Sequence, residues 1–234
     1  MKLFIDYLIR YPIHAFALVS TIVPIIIMIV RKERRSPLRI FFYYMVTKLC
    51  FDVLTDIYSS QKINNLIYNN FWILISFVLT SLFFYNIFNV AKIKSAIVLM
   101  SISFGIFFCL DFYFSNTDIA NLNNHKLVTF SAPLRCVIVV AMCYLYFREL
   151  IIDLYIDDLY YSKIFWIVSA IFIYHAGSAL SSILLHTYYN WTYDHSLNLV
   201  LRVPYVMEIV MMVVVTFGLT REKKKKSQQK SEYQ

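Results

Sequence analysis

The chain has 234 residues, of which 60% are hydrophobic and only 15% are charged, and its mean hydropathy is +0.62. Soluble domains contain about 45–50% apolar and about 25% charged residues, so this composition excludes a sizeable soluble domain and indicates a polytopic membrane protein. The net charge of +8 comes from basic runs at 31–39 and 221–234. Both runs flank apolar stretches. We therefore interpret them as orientation signals and contacts with anionic lipid headgroups, and expect no nucleic-acid partner.

The first ten residues are predicted to form a short amphipathic helix on the outer surface. Charged residues recur there at every fourth position, opposite an apolar face. The charged residues are Lys2, Asp6 and Arg10, and the apolar face consists of Phe4, Tyr7 and Leu8.

Seven stretches of the chain are apolar and long enough to cross a bilayer, which takes about 20 residues. They predict an all-α fold, a seven-helix membrane bundle over residues 1–220, followed by a basic tail at 221–234 that we expect to be disordered. The stretches are 11–30, 40–59, 67–90, 95–114, 127–147, 164–185 and 199–219.

The connections between these stretches alternate in charge. One set carries 15 Lys and Arg residues (5, 2, 2 and 6 along the chain), and the other carries 4 (2, 1, 1 and 0). Because positively charged connections stay in the cytoplasm, the N-terminus is predicted to face outward and the C-terminus inward. We expect a multi-pass protein of the bacterial inner membrane.

Three charged residues lie within the second apolar stretch. Lys48, Asp52 and Asp56 are four residues apart, and successive positions at this spacing share one face of a helix. A charged side chain at mid-membrane costs at least ~2.5–3.5 kcal/mol, so this face must point toward other helices or water. Lys48 and Asp52 can neutralise each other within the helix. We interpret them as a structural pair and expect Asp56 to be hydrated near the surface.

Ionisable side chains of other stretches lie at similar depths. From a rise of 1.5 Å per residue, all lie ~17–24 Å from the cytoplasmic ends of their stretches. They predict either a structural network of ion pairs or a polar pocket open to the outside. The candidate residues for ligand binding or an ion path are Asp52, Asp56, Asp111, Arg135, His175, Arg202 and Glu208. Arg135 and Glu208 are the strongest, because neither has an opposite charge within one turn of its own helix.

Histidines give no sign of a metal centre. The five are scattered, with no HxxxH spacing, and we interpret His14 and His175 as hydrogen-bonded core residues. His175 opens the segment "HAGSALSS", whose small residues at a spacing of four favour close helix packing. No catalytic motif is present, so the sequence predicts no cofactor and favours a protein that is not an enzyme.

Several aromatic-rich segments resemble a group of uncharacterised small seven-helix membrane proteins of Bacteroidota-type bacteria. These segments are "LRIFFYYMVTKLCFD" at 38–52, "LYFREL" at 145–150, "KIFWIVSAIFIYHAGSAL" at 163–180 and the final stretch with its basic tail. The resemblance implies the seven-helix topology, and it assigns no functional residue.

Three functional hypotheses follow. The leading one is a non-enzymatic receptor-like or signalling-accessory protein, which binds a small ligand or partner helix at the outward polar pocket. The loop at 148–163 and the tail would transmit the occupied state of the pocket to a membrane protein partner. We expect this loop to form a short interfacial helix. The second is a small transporter or channel for an anion or a proton-coupled solute, which midplane carboxylates and arginines would suit. The third is a lipid-modifying membrane enzyme.

Overall fold

The structure is a computed structural model that describes residues 2–32, 36–116, 125–152, 156–189 and 198–221. Within these ranges the chain forms α-helices and one short 3-10 helix, Ile156–Tyr161, and contains no strand. The helices are α1 (Lys2–Arg10), α2 (Pro12–Val30), α3 (Ser36–Ser60), α4 (Leu66–Ile87), α5 (Ala91–Ser115), α6 (Ser131–Ile152), α7 (Lys163–Tyr189) and α8 (Asn198–Thr220).

Each predicted apolar stretch corresponds to one of the helices α2 to α8, so the all-α bundle is confirmed. Five of them, α2, α4, α5, α7 and α8, contain segments long and apolar enough to cross a membrane. The other two, α3 and α6, carry the buried charged residues Lys48, Asp56 and Arg135. The protein is therefore membrane-embedded, and seven crossings with the N-terminus outside remain a prediction.

Six helices form a closed ring. Neighbours pack in the order α2, α3, α4, α6, α7 and α8, and α8 packs back against α2. Helix α5 lies outside this ring against α4 and α6, and α1 lies on α2 and α3. Side chains that point into the ring are thereby shielded from the surrounding lipid.

The outer surface of the bundle is apolar. On α5, exposed residues recur at spacings of three and four along one face: Val98, Leu99, Ile102, Ile106 and Leu110. An apolar surface of this extent is unusual for a soluble monomer. It suits a helix whose outer face contacts acyl chains.

The interior has a polar half and an apolar half. We call the end of the bundle where α1 lies the α1 end; there α4, α6 and α8 begin and α3 terminates. Buried charged residues lie toward this end. The opposite half is filled by fully buried large side chains, including Phe41, Met45, Phe83, Phe84, Met142, Met211 and Met212.

Close contacts between α7 and α8 depend on two glycines. A Cβ atom at Gly177 would lie 2.6 Å from the sulfur of Met207, and one at Gly218 would collide with Trp166. The predicted close packing at the "HAGSALSS" segment is therefore confirmed.

At the end of the bundle opposite α1, side-chain contacts connect the ends of two helices and the 3-10 helix. The Arg31 guanidinium donates a hydrogen bond to the Leu219 carbonyl oxygen. The Arg221 guanidinium lies 4.4 Å from the ring centre of Tyr160 and 4.1 Å from that of Phe217. These contacts join the ends of α2 and α8 to the 3-10 helix.

Other expectations for local structure have mixed outcomes. The predicted amphipathic N-terminal helix is confirmed as α1, with Phe4, Tyr7 and Leu8 half-buried. In the 148–163 connection, α6 continues to Ile152 and the short 3-10 helix Ile156–Tyr161 lies beyond it. A short helix is therefore present, and its position at the membrane interface stays a prediction. The tail beyond 221 lies outside the described residues.

Two prolines lie beyond the first turn of their helices. Pro24 is buried in α2, and Pro204 lies in the second turn of α8. Each lacks the backbone N–H that would bond the carbonyl four residues earlier.

Candidate intramembrane polar site

One face of α3 carries four ionisable side chains in a row. Tyr44, Lys48, Asp52 and Asp56 are four residues apart, which places them over about 18 Å of the helix. Lys48 and Asp56 are 3% and 4% exposed, and the Asp52 side chain is 26% exposed. The row therefore lines the interior, as the spacing predicted.

Lys48 is the centre of a three-residue ion cluster. Its Nζ lies 2.7 Å from Asp52 Oδ2 on its own helix and 2.8 Å from Glu208 Oε2 on α8. We refer to Lys48, Asp52 and Glu208 as the lysine cluster. The Lys48–Asp52 pair proposed from the sequence is present, and the ammonium group also binds Glu208 on a second helix.

Neighbouring side chains complete the surroundings of this cluster. The hydroxyl of Thr21 on α2 lies 3.3 Å from the other carboxylate oxygen of Glu208 and 3.1 Å from the Ala17 carbonyl oxygen, and its single hydrogen can be donated to either. The Lys48 ammonium lies 5.8 Å from the ring centre of Trp72 on α4, a distance typical of a cation–π contact. The lysine cluster thus joins α2, α3, α4 and α8.

Asp56 contacts a histidine that the sequence interpretation assigned to the core. His14 Nδ1 on α2 lies 2.9 Å from Asp56 Oδ1, and the His14 ring lies 4.2 Å from the ring of Tyr205 on α8. The expectation that Asp56 lies near the open surface is corrected, because α1 and His14 cover this end of α3 and leave Asp56 4% exposed.

A small cavity lies between the lysine cluster and the His14–Asp56 pair. Its volume is about 40 Å³, and it is partly open to the outside of the protein. We call it the acidic cavity; its lining is His14, Ala17, Leu18, Asp52, Thr55, Asp56, Asn69, Tyr205 and Glu208. Three carboxylates meet there, and the nearest ammonium is that of Lys48.

Arg135 does not join the lysine cluster. Its Nη1 donates to the hydroxyl of Ser76 on α4, and no carboxylate of the described residues forms an ion pair with it. Tyr44, Tyr174 and His175 lie within electrostatic range. Arg135 and Glu208 were the two strongest candidates, and the structure pairs Glu208 with Lys48 instead.

The remaining candidates lie apart from the cavity. Asp111 Oδ2 accepts hydrogen bonds from the backbone N–H groups of Phe130 and Ser131 and from the Ser131 hydroxyl, at 3.0, 2.7 and 2.6 Å. It therefore holds the start of α6 against α5. Arg202 is exposed, so the structure does not bring it to the interior.

Several residues around the site were not among the candidates, including His14, Thr21 and Tyr205. His14 carried a usable signal, because it lies near the outer end of its predicted helix, as Asp56 does. Thr21 and Tyr205 carried none, since single hydroxyl residues in apolar helices are common. Within the described part of the chain, no group of three or more His, Cys, Asp or Glu side chains is arranged to hold a metal ion.

No family model matches this chain, and it has no significant match among curated proteins or solved structures.

Proposed function

We propose that this is a non-enzymatic, receptor-like membrane protein that binds protons or a small cation in the acidic cavity and transmits the occupied state to the opposite end of the bundle. The supporting observation is the position of the cavity. It is partly open and lies toward the α1 end of the bundle, and the opposite half of the interior is tightly packed and apolar. A polar cavity in a bundle whose opposite half is closed by apolar packing suits a protein that detects a ligand better than one that transports it.

The chemistry of the lining supports a cationic ligand. Asp52, Asp56 and Glu208 bring three carboxylates, against the single ammonium of Lys48 and the imidazole of His14. A volume of about 40 Å³ leaves room for about three waters. This is too small for an organic ligand of drug size, so protons and small inorganic or ammonium cations are the class that fits.

Helix α8 provides a physical connection between the two ends. It carries Glu208 and Tyr205 at the cavity, and Phe217 and Gly218 against Trp166 at the other end. A ligand that replaces Lys48 as the partner of Glu208 would remove the ion pair that joins α3 to α8. We expect α8 to shift against α7, and a membrane protein partner to detect the change there.

Two native tryptophans can serve as fluorescence probes, Trp72 beside the lysine cluster and Trp166 at the opposite end of the bundle. A variant that retains only Trp72 has its probe 5.8 Å from the Lys48 ammonium, and one that retains only Trp166 has its probe against Phe217. In lipid nanodiscs, titration with protons, Na⁺, K⁺ and ammonium should change the emission of both variants at one common midpoint.

Matched substitutions separate this proposal from a general effect of pH or salt. Glu208→Gln should abolish or displace both transitions, whereas Asp6→Asn, at an exposed acid on α1, should leave them unchanged. A Trp72 signal indifferent to every titrant would refute cation binding. A response at Trp72 with none at Trp166 would refute transmission through α8.

Transport is the second candidate, favoured by the row of polar groups that leads inward from the cavity. Tyr44 and Tyr174 lie within electrostatic range of both Lys48 and Arg135, so ionisable groups continue beyond the lysine cluster. The test is proton or cation flux into proteoliposomes. Flux that disappears in Glu208→Gln would replace the receptor proposal with transport.

A further inference from the structure

We propose that Arg135 binds a small monovalent inorganic anion of the halide type inside the bundle, at a site separate from the acidic cavity and opposite in sign. Arg135 is 7% exposed, and a guanidinium remains charged inside proteins. A buried charge is costly unless an opposite charge or a full set of hydrogen bonds accompanies it.

The described residues do not provide that opposite charge. Lys48 has two carboxylate partners, whereas no carboxylate in the described part of the chain lies within ion-pairing distance of Arg135. Asp111 uses its carboxylate on the backbone at the start of α6. Arg135 is thus the buried cation for which the described interior supplies no anion.

Its hydrogen bonds are also incomplete. The Nε atom of Arg135 is buried and makes no hydrogen bond of normal geometry with the described residues. The Cys136 thiol on the same helix lies within interaction range of the guanidinium, but a thiol is a weak acceptor. Nη1 donates to Ser76 Oγ, which in turn donates to the Ile73 carbonyl oxygen at 3.1 Å. An acceptor placed at the free edge of the guanidinium would satisfy the remaining N–H groups.

The surrounding side chains favour an anion over a second protein ligand. Tyr44 and Tyr174 are buried hydroxyl residues within electrostatic range of Arg135. His175 lies in the same range, and its Nδ1 is buried and unpartnered within the described residues. Hydroxyl and imidazole N–H groups can all donate to a halide, and the burial of Arg135, at 7% exposure, favours a small ligand.

Chloride-dependent stability tests this site. Purified protein is unfolded thermally in nanodiscs at constant ionic strength, with chloride replaced stepwise by gluconate, which is too large to enter. We expect a saturable rise of the unfolding midpoint, roughly 3–6 °C at a tenfold excess over Kd. Phosphate should have no effect at the same ionic strength.

Matched variants test whether Arg135 is responsible for the chloride dependence of the unfolding midpoint. Arg135→Gln should lose the chloride dependence, and Arg202→Gln, at an exposed arginine, should retain it. Glu208→Gln should also retain it, so failure of this site and failure of the acidic cavity can be distinguished. If Arg135→Gln does not fold, Ser76→Ala should weaken the apparent chloride affinity at least about threefold.

A direct measurement uses bromide, whose anomalous diffraction should place an ion beside the Arg135 guanidinium. Equal midpoints in chloride and gluconate for the wild-type protein would overturn the proposal. The proposal also fails if chloride stabilises Arg135→Gln as much as the wild type, or if phosphate raises the midpoint and chloride does not.

Discussion

Glu208 on α8 binds the ammonium group of Lys48 on α3 at 2.8 Å, in the interior of the helix ring. Both side chains are almost completely buried, at 6% and 4% exposure. Because Lys48 also binds Asp52, one ammonium serves two carboxylates. The stability of the polar half therefore depends on this lysine more than on either acid.

Substitution of Lys48 should be strongly destabilising. Lys48→Met leaves Glu208 buried without its cation, which costs about 3–5 kcal/mol in comparable sites. The double variant Lys48→Met/Glu208→Met should recover part of this loss, because it removes both charges. Thermal unfolding in nanodiscs measures the coupling between them.

Asp52→Asn is the matched comparison within the same cluster. The Asp52 side chain is 26% exposed, so water can replace part of the interaction with Lys48 that the substitution removes. We expect a smaller loss of stability than for Lys48→Met.

Additive effects of the Lys48 and Glu208 substitutions would contradict a direct interaction between these residues.

Asp111 should behave as a structural residue. Asp111→Ala removes the acceptor of two backbone N–H groups and one hydroxyl at the start of α6, at a cost of about 2–4 kcal/mol. Cation and chloride titrations of the folded variant should match those of the wild type. A changed midpoint for either ligand would show that Asp111 belongs to a site.

The three glycines should respond differently to alanine. Gly218→Ala should be severely destabilising, because the new methyl group collides with Trp166 near the ring's attachment. Gly177→Ala meets the flexible end of Met207 and should cost less. Gly105→Ala has open space and should be neutral or stabilising by up to about 1 kcal/mol. Midpoints of thermal unfolding in this order would support the packing described here.

The cavity should be accessible from one side of the membrane. A cysteine introduced at Thr55, which lines the cavity, should react with a membrane-impermeant thiol reagent added to the outside of intact cells. The background variant carries Ser at Cys50 and Cys109, the exposed native cysteines. A cysteine at Trp166 should react only after permeabilisation, and the reverse pattern would invert the predicted orientation.

The positions of the helices could be predicted because hydropathy alone encodes them. The stretch predicted at 67–90 became Leu66–Ile87, and that at 199–219 became Asn198–Thr220. The inward direction of Lys48 and Asp56 was predictable for a related reason, since charged groups cannot face acyl chains cheaply.

Which helices contact one another could not be predicted in the same way. Helices α4 and α5 are apolar around most of their circumference, so no face is marked for a particular neighbour. Helix α3 has a polar face, but the sequence does not show which helix packs against that face. Glu208 could pair with Lys48 or Arg135 on charge alone. The pairing with Lys48 depends on the order of helices around the ring, which hydropathy does not specify.

Pro24 gives α2 an unequal stiffness along its length. A proline at this position leaves the carbonyl oxygen of Ser20 without its usual helical partner, one residue before Thr21, which binds Glu208. The segment from Pro12 to Ser20, which carries His14, is therefore joined to the rest of α2 by one backbone hydrogen bond fewer than in a helix without proline. The wall of the cavity formed by His14 thus belongs to a helix with one missing backbone hydrogen bond, whereas α3 and α4, which form other walls, have no proline in their middle turns.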